Sequence, residues 1–335
     1  MKIYYIGSFP PIYGGVTVKN ENLYHELVKH LSVQKIDMNR IKRGNVMEML
    51  RFIWAILAGK QYIIGLAGQK NRQLMTKLLY WFRRKAMSRS ILLVMGGAVD
   101  DVIHAGADFV RKFNVYRKTY VELPGMLKAL EEAGVGNVAI YPNCRPRPKE
   151  LPSLNVGDKP LKCVFFSIIQ PEKGVDLILE AARMLPQMHF HFFGEVRKDY
   201  THDFFAAIQS TENTVYHGVF TGDANAIYQE LSQYDVMLLP TRWKTEGLPG
   251  VLIESKIAGL PAVVSDHNFN KEIVSHNYDG IVIQEVTAEK LSLALQELDK
   301  DRVKLYNMRL TSRASAEQYY LDACVTKVIQ ELERE

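Results

Sequence analysis

Short runs of apolar, β-branched and aromatic residues alternate along the chain with longer segments whose apolar residues recur at helical spacing. The short runs predict buried strands, and the longer segments predict amphipathic helices. Strands that alternate with helices form parallel sheets with helices on both faces. The predicted strands are Ile3–Ile6, Val33–Ile36, Tyr62–Ala67, Ile91–Met95, Thr119–Leu123, Val138–Tyr141, Lys162–Phe166, His189–Phe193, Thr214–His217, Val236–Leu239, Ala262–Ser265 and Gly280–Ile283.

A proline-rich stretch divides this pattern into two halves. Five of the 13 prolines lie between Pro142 and Pro160, where no helical period is visible. Because proline fixes φ and removes a backbone donor, we predict a linker or hinge there. We expect an N-terminal Rossmann-like domain at 1–145, a second Rossmann-like domain at 146–315, and a C-terminal helix at 316–335 that packs back on the first domain. The predicted fold class is α/β, with two doubly wound domains facing each other across a cleft.

Charge is divided unequally between these halves. Residues 1–150 contain 24 Lys and Arg against 11 Asp and Glu, whereas residues 151–335 contain 18 against 26. A basic half and an acidic half indicate different partners for the two domains. With 47% apolar and 24% charged residues, the chain can bury real cores and is not of disordered composition.

Cysteine usage and hydropathy predict a cytoplasmic protein. Cys144, Cys163 and Cys324 are scattered and show neither a disulfide framework nor metal-ligand spacing. The most apolar stretch, 52–67, is too short and too interrupted to span a bilayer. The first apolar run is too short for a signal peptide. Attachment to the inner face of a membrane as a peripheral protein stays open.

The segment 235–266, DVMLLPTRWKTEGLPGVLIESKIAGLPAVVSD, has the pattern strand, loop, helix, strand. Pro249 suits the first helical turn, and Gly259 suits the C-terminal cap. We therefore predict the helix N-terminus at Gly247–Gly250. Free backbone N–H groups and the positive end of the helix dipole would favour a diphosphate there.

Two glutamates flank this predicted helix start. Glu246 lies in the loop, where its carboxylate can accept hydrogen bonds from sugar hydroxyls. Glu254 lies about one turn into the helix, where it can hold the vicinal hydroxyls of a ribose. The alternative is that both are solvated surface residues.

The stretch from Glu246 to Glu254, EGLPGVLIE, is similar to the E-x7-E motif of retaining glycosyltransferases of the GT-B fold, family 4 (glycosyl transferases group 1). The resemblance covers nearly the whole chain and is strongest from about 160 to 285. It implies that Glu246 is catalytic and that Glu254 binds a UDP- or GDP-linked sugar. The other donor-binding residues that it implies here are Gly247, Leu248, Pro249 and Gly250.

The stretch Pro171-Glu172-Lys173-Gly174 also resembles the family. It follows a predicted strand and opens a helix, so Lys173 would stand at the strand's C-terminal end and neutralise the donor diphosphate. The alternative is a solvated lysine in a helix cap. The family usually has an arginine five residues earlier, where this chain has Ile168.

Weaker motifs complete the predicted site. GSFPPIYGG, directly after the first strand, resembles the family's glycine loop, whose amides at Gly14 and Gly15 would face the donor phosphate; an ordinary turn is the alternative. By the same resemblance, the backbone at Val219 would hold the nucleobase. Asp100 and Asp101 are candidates for orienting an acceptor hydroxyl, against a solvated turn. We predict no metal ion and no cofactor beyond the nucleotide-sugar co-substrate.

These motifs predict a glycosyltransferase with a lipid-linked or glycan acceptor, acting in the synthesis of capsule, O-antigen or another bacterial surface polysaccharide. We expect no nucleic-acid partner. The basic segment 71–89 has Leu74, Leu78 and Phe82 on one helical face, which indicates contact with an anionic membrane surface. The alternative for that face is that it covers the sheet. The alternative for the whole chain is a degenerate homologue that binds a nucleotide or a partner without catalysis.

Overall fold

The computed structural model describes residues 2–11, 14–97, 99, 106–154 and 160–334. Within these ranges every predicted strand is present, with ends that differ by no more than two residues. The strands are β1 Ile3–Gly7, β2 Val33–Asp37, β3 Tyr62–Gly65, β4 Ile91–Leu93, β5 Lys118–Val121, β6 Val138–Ile140, β7 Lys162–Phe166, β8 His189–Phe193, β9 Thr214–Tyr216, β10 Val236–Leu239, β11 Ala262–Ser265 and β12 Gly280–Ile283.

Helices lie between most of these strands. They are α1 Gly15–Leu27, α2 Met38–Lys42, α3 Val46–Ala58, α4 Gln69–Phe82, α5 Arg84–Met87, α6 Ala107–Phe113, α7 Pro124–Glu132, α8 Val175–Met184, α9 Thr201–Gln209, α10 Ala224–Leu231, α11 Gly250–Ala258, α12 Asn270–Ile273, α13 Ala288–Lys300, α14 Arg302–Ser315 and α15 Leu321–Glu333. Among the described residues, no helix has the length and hydrophobicity needed to cross a bilayer.

The strands form two parallel sheets with the orders β2-β1-β3-β4-β5-β6 and β12-β11-β10-β7-β8-β9. The prediction of an α/β chain with two Rossmann-like, doubly wound sheets is confirmed. In such sheets, ligands bind beyond the carboxyl ends of the strands where the strand order reverses. That switch point lies between β1 and β3 in the first sheet and between β7 and β10 in the second.

Contacts divide the chain into two compact units. Unit 1 comprises Met1–Pro146, Thr245–Leu248 and Tyr319–Glu335, and unit 2 comprises Arg147–Lys244 and Pro249–Gln318. In unit 1, α15 contributes apolar side chains to the core that β1, β3 and β4 form. Its members in that core are Leu321, Val325, Val328 and Leu332.

Two helix predictions are corrected by the structure. The C-terminal helix, predicted at 316–335, does not begin at Ala316 but at Leu321. Ala316–Tyr319 is a 3₁₀ turn, and Tyr320 is extended because its backbone lies beside Arg145 in a short β-bridge. The segment 71–89 is likewise not one helix, because α4 ends at Phe82 and a separate turn, α5, follows.

Candidate functional site

Lys173 lies at the carboxyl edge of the unit 2 sheet, at the switch point. The chain leaves β7, passes through a 3₁₀ turn at Pro171–Lys173 and enters α8 at Val175. Gly174 joins the two with φ of 82°, and a Cβ there would lie 2.3 Å from the carbonyl oxygen of Pro240, so the position requires glycine. This close contact with the end of β10 fixes the backbone position of Lys173. The side chain of Lys173 is largely buried.

Two arginines hold the turn around Lys173. Arg242 Nη2 donates to both carboxylate oxygens of Asp176 at 2.7 Å. Arg197 Nη1 donates to Glu172 Oε2 at 2.8 Å, and this hydrogen bond lowers the pKa of that carboxyl group. Ile168, which stands where the resembling family has an arginine, has a side chain that is 41% exposed. The two arginines place positive charge near this edge, but each is paired with a carboxylate.

The helix α11 begins later than the sequence predicts. Pro249 is its N-cap and Gly250 its first residue, whereas Gly247 and Leu248 lie before the helix and belong to unit 1. The prediction of a helix N-terminus at Gly247–Gly250 is therefore wrong for its first two residues. Glu254 is half-buried one turn into α11, as predicted.

Val219 follows β9 on the same edge of the unit 2 sheet, and its side chain is exposed. Its neighbours in the sequence are fixed by aromatic contacts. The ring of His217 stacks on Phe193 with centroids 4.4 Å apart, and the ring of Phe220 lies 5.7 Å from that of Phe166. These contacts hold the backbone of Val219 at the sheet edge.

In unit 1, Gly14 and Gly15 stand at the start of α1 and are exposed, and a Cβ at either position would meet nothing within 4 Å. The helix below them is anchored by Asn20. Its side-chain amide donates to the backbone oxygens of Ser8 and Gly65, both at 2.9 Å. The glycine loop is therefore attached to the ends of β1 and β3.

The segment Thr245–Leu248, which carries Glu246, is clamped inside unit 1. The N–H of Leu248 donates to Glu122 Oε2 at 3.3 Å, and its carbonyl oxygen accepts from Asn143 Nδ2 at 3.0 Å. The N–H of Gly97 donates to the carbonyl oxygen of Thr245 at 3.1 Å. Glu246 is buried, so the alternative that it is a solvated surface residue is wrong.

Gly247 and Gly97 are required by close backbone contacts in this clamp. A Cβ at Gly97 would lie 2.1 Å from the carbonyl oxygen of Glu246, and one at Gly247 would lie 2.8 Å from the backbone nitrogen of Gly97. The resemblance implies that Gly247 binds the donor. In the structure, the space beside it is occupied by protein backbone instead.

A buried ion pair supports the clamp. Lys19 Nζ on α1 lies 2.8 Å from Glu122 Oε1, and the two side chains are only 3% and 4% exposed. Lys19 also donates to the carbonyl oxygen of Tyr141 at 3.2 Å. One carboxylate, Glu122, therefore links the helix below the glycine loop to the segment that carries Glu246.

Sequence reasoning missed Lys19, Glu122 and Asn143. The available signal was position, because Glu122 directly follows β5 and Asn143 follows β6 within three residues. Polar residues at the carboxyl ends of parallel strands are common at ligand sites. The acceptor-side candidates Asp100 and Asp101 lie outside the described residues.

No group of three or more His, Cys, Asp or Glu side chains that could hold a metal ion occurs in the described part of the chain. The two aspartates of the D-x-D sequence at 299–301 are engaged in an ion pair and a helix cap. Asp299 pairs with Arg302 at 2.5 Å, and Asp301 caps α14 by accepting from the N–H of Lys304 at 2.8 Å.

Solved structures share this fold. HepE of Anabaena, solved in complex with UDP, has a TM-score of 0.72 at 14% identity, with 99% of each chain covered. Sucrose-phosphate synthase from Thermosynechococcus elongatus has a TM-score of 0.77 at 12% identity, with 98% of each chain covered. At such identities the likeness shows the fold alone, and it is the predicted GT-B fold.

Curated relatives match about half of the chain. The UDP-Gal:alpha-D-GlcNAc-diphosphoundecaprenol alpha-1,3-galactosyltransferase of Escherichia coli is 27% identical over 184 residues, or 50% of this chain and 46% of the relative. The amylovoran biosynthesis glycosyltransferase AmsK of Erwinia amylovora is 26% identical over 175 residues, or 48% and 41%. The chain thus spans less than half the length of these relatives. Residues 146–316, about half of the chain, match the family described as glycosyl transferases group 1. The chain belongs to the glycosyl transferases group 1 family.

Proposed function

We propose that the protein is a retaining glycosyltransferase that moves a sugar from a UDP- or GDP-linked donor to a lipid-linked or glycan acceptor in bacterial surface polysaccharide synthesis. The family match over 146–316 carries this proposal, because that range contains Lys173, Glu246 and Glu254. Two relatives support the acceptor class, since their names specify sugars linked to diphosphoundecaprenol.

Unit 2 supplies the donor site in this proposal. Lys173 and the N-terminus of α11, at Pro249 and Gly250, lie on the two sides of the β7/β10 switch point. They would stabilise the negative charge that grows on the departing diphosphate, without reorganising during the reaction. Glu254 would bind the ribose, and the backbone at Val219 would bind the base.

Unit 1 supplies Glu246 and the acceptor site, and its amides at Gly14 and Gly15 would face the donor phosphate. The bond between the donor's anomeric carbon and the diphosphate oxygen breaks, and the acceptor oxygen bonds to the same carbon on the same face. The hydroxyl proton passes to the departing diphosphate. Glu246 would position the transferred sugar. Its burial and the clamp on Leu248 favour a fixed geometry, on which such transfer depends.

A protein that binds a nucleotide without catalysis is the second candidate. Ile168 favours it, because that position lacks the family's arginine and the neighbouring Arg197 and Arg242 are already paired with carboxylates.

A thermal-unfolding panel of nucleotides and nucleotide sugars, followed by a turnover assay with each stabilising donor, separates the candidates. A ligand at 100 times its dissociation constant stabilises the folded state by about 2.7 kcal/mol. The glycosyltransferase proposal predicts stabilisation by UDP or GDP and release of that nucleotide when acceptor is added. Stabilisation without turnover would support the second candidate, and no stabilisation would contradict both.

The outer helices of unit 1 support a membrane partner. α3 is unusual for a surface helix: Glu48 is buried, where it accepts hydrogen bonds from the N–H of Asp37 and from Arg51, while most of the large apolar side chains are exposed. The exposed apolar residues, which are 46–79% exposed, are Val46, Met47, Met49, Leu50, Ile53, Trp54 and Leu57 on α3, and Leu74, Trp81 and Phe82 on α4.

This surface is also basic. Residues 38–89 contain twelve Lys and Arg and a single acidic residue, Glu48. Leu74 and Phe82 are exposed and Leu78 is half-buried, whereas Arg72, Met75 and Leu79 are buried, which favours outward contact over the alternative that this face covers the sheet. Apolar side chains beside basic ones suit the headgroup region of an anionic bilayer, where each basic residue contributes about 1 kcal/mol.

Sedimentation with liposomes tests this partner. We expect the protein to pellet with phosphatidylglycerol-containing liposomes at low salt and much less with neutral ones. Trp54→Asp should weaken pelleting, whereas Leu293→Asp, at a similarly exposed position on α13 of unit 2, should not. Equal recovery with both lipids, or equal loss in both variants, would contradict membrane docking through α3.

A further inference from the structure

An apolar cavity of about 210 Å³ lies at the switch point of the unit 1 sheet. Its floor is formed by residues that follow β1 and β3, and its walls by α2, α3 and α4. The lining residues are Ser8, Met38, Lys42, Phe52, Leu66, Ala67, Asn71, Leu74, Met75 and Leu78. The position is one at which doubly wound sheets bind ligands.

The lining suits a hydrocarbon. Phe52, Leu66, Met75 and Leu78 offer only carbon and sulfur atoms beyond the backbone, so water in the cavity would find few partners. Apolar cavities of about 150 Å³ stay dry and bind small hydrocarbons such as benzene. The cavity therefore has room for a short part of an aliphatic chain.

The rim supplies charge for an anionic head. Lys42, at the end of α2, is exposed and lines the cavity. Leu74, at the other side of the rim, is exposed and continues the cavity into the apolar surface of α3 and α4. A ligand that fits has an anionic group at one end and a chain that continues into a bilayer.

We propose that this cavity binds the isoprenoid units next to the diphosphate of a lipid-linked acceptor, and that Lys42 pairs with that diphosphate. The inference deepens the proposed function and rests on its lipid-linked acceptor. The occupant is chosen from the chemistry named for two relatives, whose acceptors carry a diphosphate on undecaprenol. An isoprenoid diphosphate combines the anionic end and the apolar chain that the rim and the cavity require.

Calorimetry with farnesyl diphosphate and with inorganic diphosphate tests the inference without any turnover. Burial of two methylene groups raises affinity about tenfold. We therefore expect the wild type to bind farnesyl diphosphate at least about tenfold more tightly than inorganic diphosphate. Leu78→Trp should fill the cavity and reduce this ratio to about twofold or less. Leu293→Trp on α13 is the matched control and should keep the wild-type ratio.

A second variant covers the case in which Leu78→Trp does not fold. Leu74 is exposed at the rim, so Leu74→Asp leaves the core intact and should lower farnesyl diphosphate affinity about tenfold. Equal affinity of the wild type for the two diphosphates, or loss of the preference in the Leu293→Trp control, would overturn the inference. Equally tight binding of dihexanoyl phosphatidylglycerol would also overturn it, in favour of a bilayer lipid. Because binding is measured directly, none of these outcomes depends on whether the protein transfers sugar.

Discussion

The two sheets share one architecture, yet their switch points differ in chemistry. Between β7 and β10, unit 2 presents Lys173, the N-terminus of α11 and the carboxylate of Glu254. Between β1 and β3, unit 1 presents an apolar cavity with a basic rim at Lys42. One edge suits a polar, multiply charged ligand, and the other suits an amphiphile.

The two units also differ in what their buried ion pairs connect. In unit 2, Lys256 lies 2.6 Å from Asp279 and links α11 to the turn before β12. In unit 1, Glu122 pairs with Lys19 and also accepts from the N–H of Leu248, next to Glu246. The two pairs are similarly buried but differ in role, because only the pair in unit 1 holds the segment that carries Glu246.

The largest expected effect is at Glu246. Glu246→Gln keeps the size of the side chain but removes the negative charge of the carboxylate that we propose positions the transferred sugar. We therefore expect kcat/KM to fall by about 100-fold or more. Steady-state transfer assays with both substrates measure it. Glu132→Gln, at an exposed position on α7 of the same unit, is the control and should behave as the wild type. Near-wild-type turnover in Glu246→Gln would remove Glu246 from the mechanism.

The second effect compares the two ion pairs directly. Glu122→Gln and Asp279→Asn each leave a buried lysine without its charged partner, which typically costs about 3–5 kcal/mol of unfolding free energy. We expect Glu122→Gln to lower kcat about tenfold as well, because the segment beside Glu246 is released. Asp279→Asn should keep kcat within about threefold of the wild type.

Chemical denaturation measures the loss of unfolding free energy in each variant, and turnover per folded molecule measures the loss of kcat. If the two variants lose turnover equally at matched folded fraction, the positioning role of Glu122 is wrong and the pair in unit 1 acts on stability alone.

A smaller effect is expected at Glu254 in unit 2. Glu254→Ala would remove the charged hydrogen bond that we propose to the ribose. Such a bond contributes about 1.5–3 kcal/mol, so the donor KM should rise about tenfold while kcat changes less. The acceptor KM should stay the same, because that substrate is assigned to unit 1. Donor binding by calorimetry that equals the wild type would exclude the ribose role.

The smallest expected effect is acid destabilisation of unit 2. Burial, with the neighbouring His217 ring as a lesser cause, lowers the pKa of His191 from 6.5 to about 4. Between these values the unfolded chain binds a proton that the folded chain does not, so the unfolding free energy should fall as pH decreases from 6.5 to 4. Denaturation at several pH values should show a weaker fall in His191→Phe. The assignment of this pH dependence to His191 would be contradicted if the unfolding free energy of His191→Phe fell with pH as steeply as that of the wild type. It would also be contradicted if the exposed control His202→Phe weakened the fall equally.

Much of unit 2 could be predicted from the sequence because its signals are local. The runs that form β7 and β10, the Pro171–Gly174 turn and the Pro249–Gly259 pattern of α11 are each read within a short window. The start of α11 was predicted too early, because Leu248 is held out of the helix by Glu122, 126 residues away in the sequence.

The site features of unit 1 were harder to predict because they depend on long-range contacts. Lys19, Glu122 and Asn143 come from three separate elements, and no local pattern connects them with Leu248. The exposed apolar side chains of α3 were also missed, since an apolar segment indicates burial until the structure shows which side faces outward.

The most direct test of the central claim is transfer of labelled sugar from a panel of UDP- and GDP-sugars to undecaprenyl diphosphate-linked sugars in anionic liposomes, counted in the lipid phase. We predict that at least one donor labels the lipid, that the new linkage keeps the donor's anomeric configuration, and that Glu246→Gln abolishes the label. Nucleotide binding without any labelled lipid, or an inverted linkage, would contradict the account.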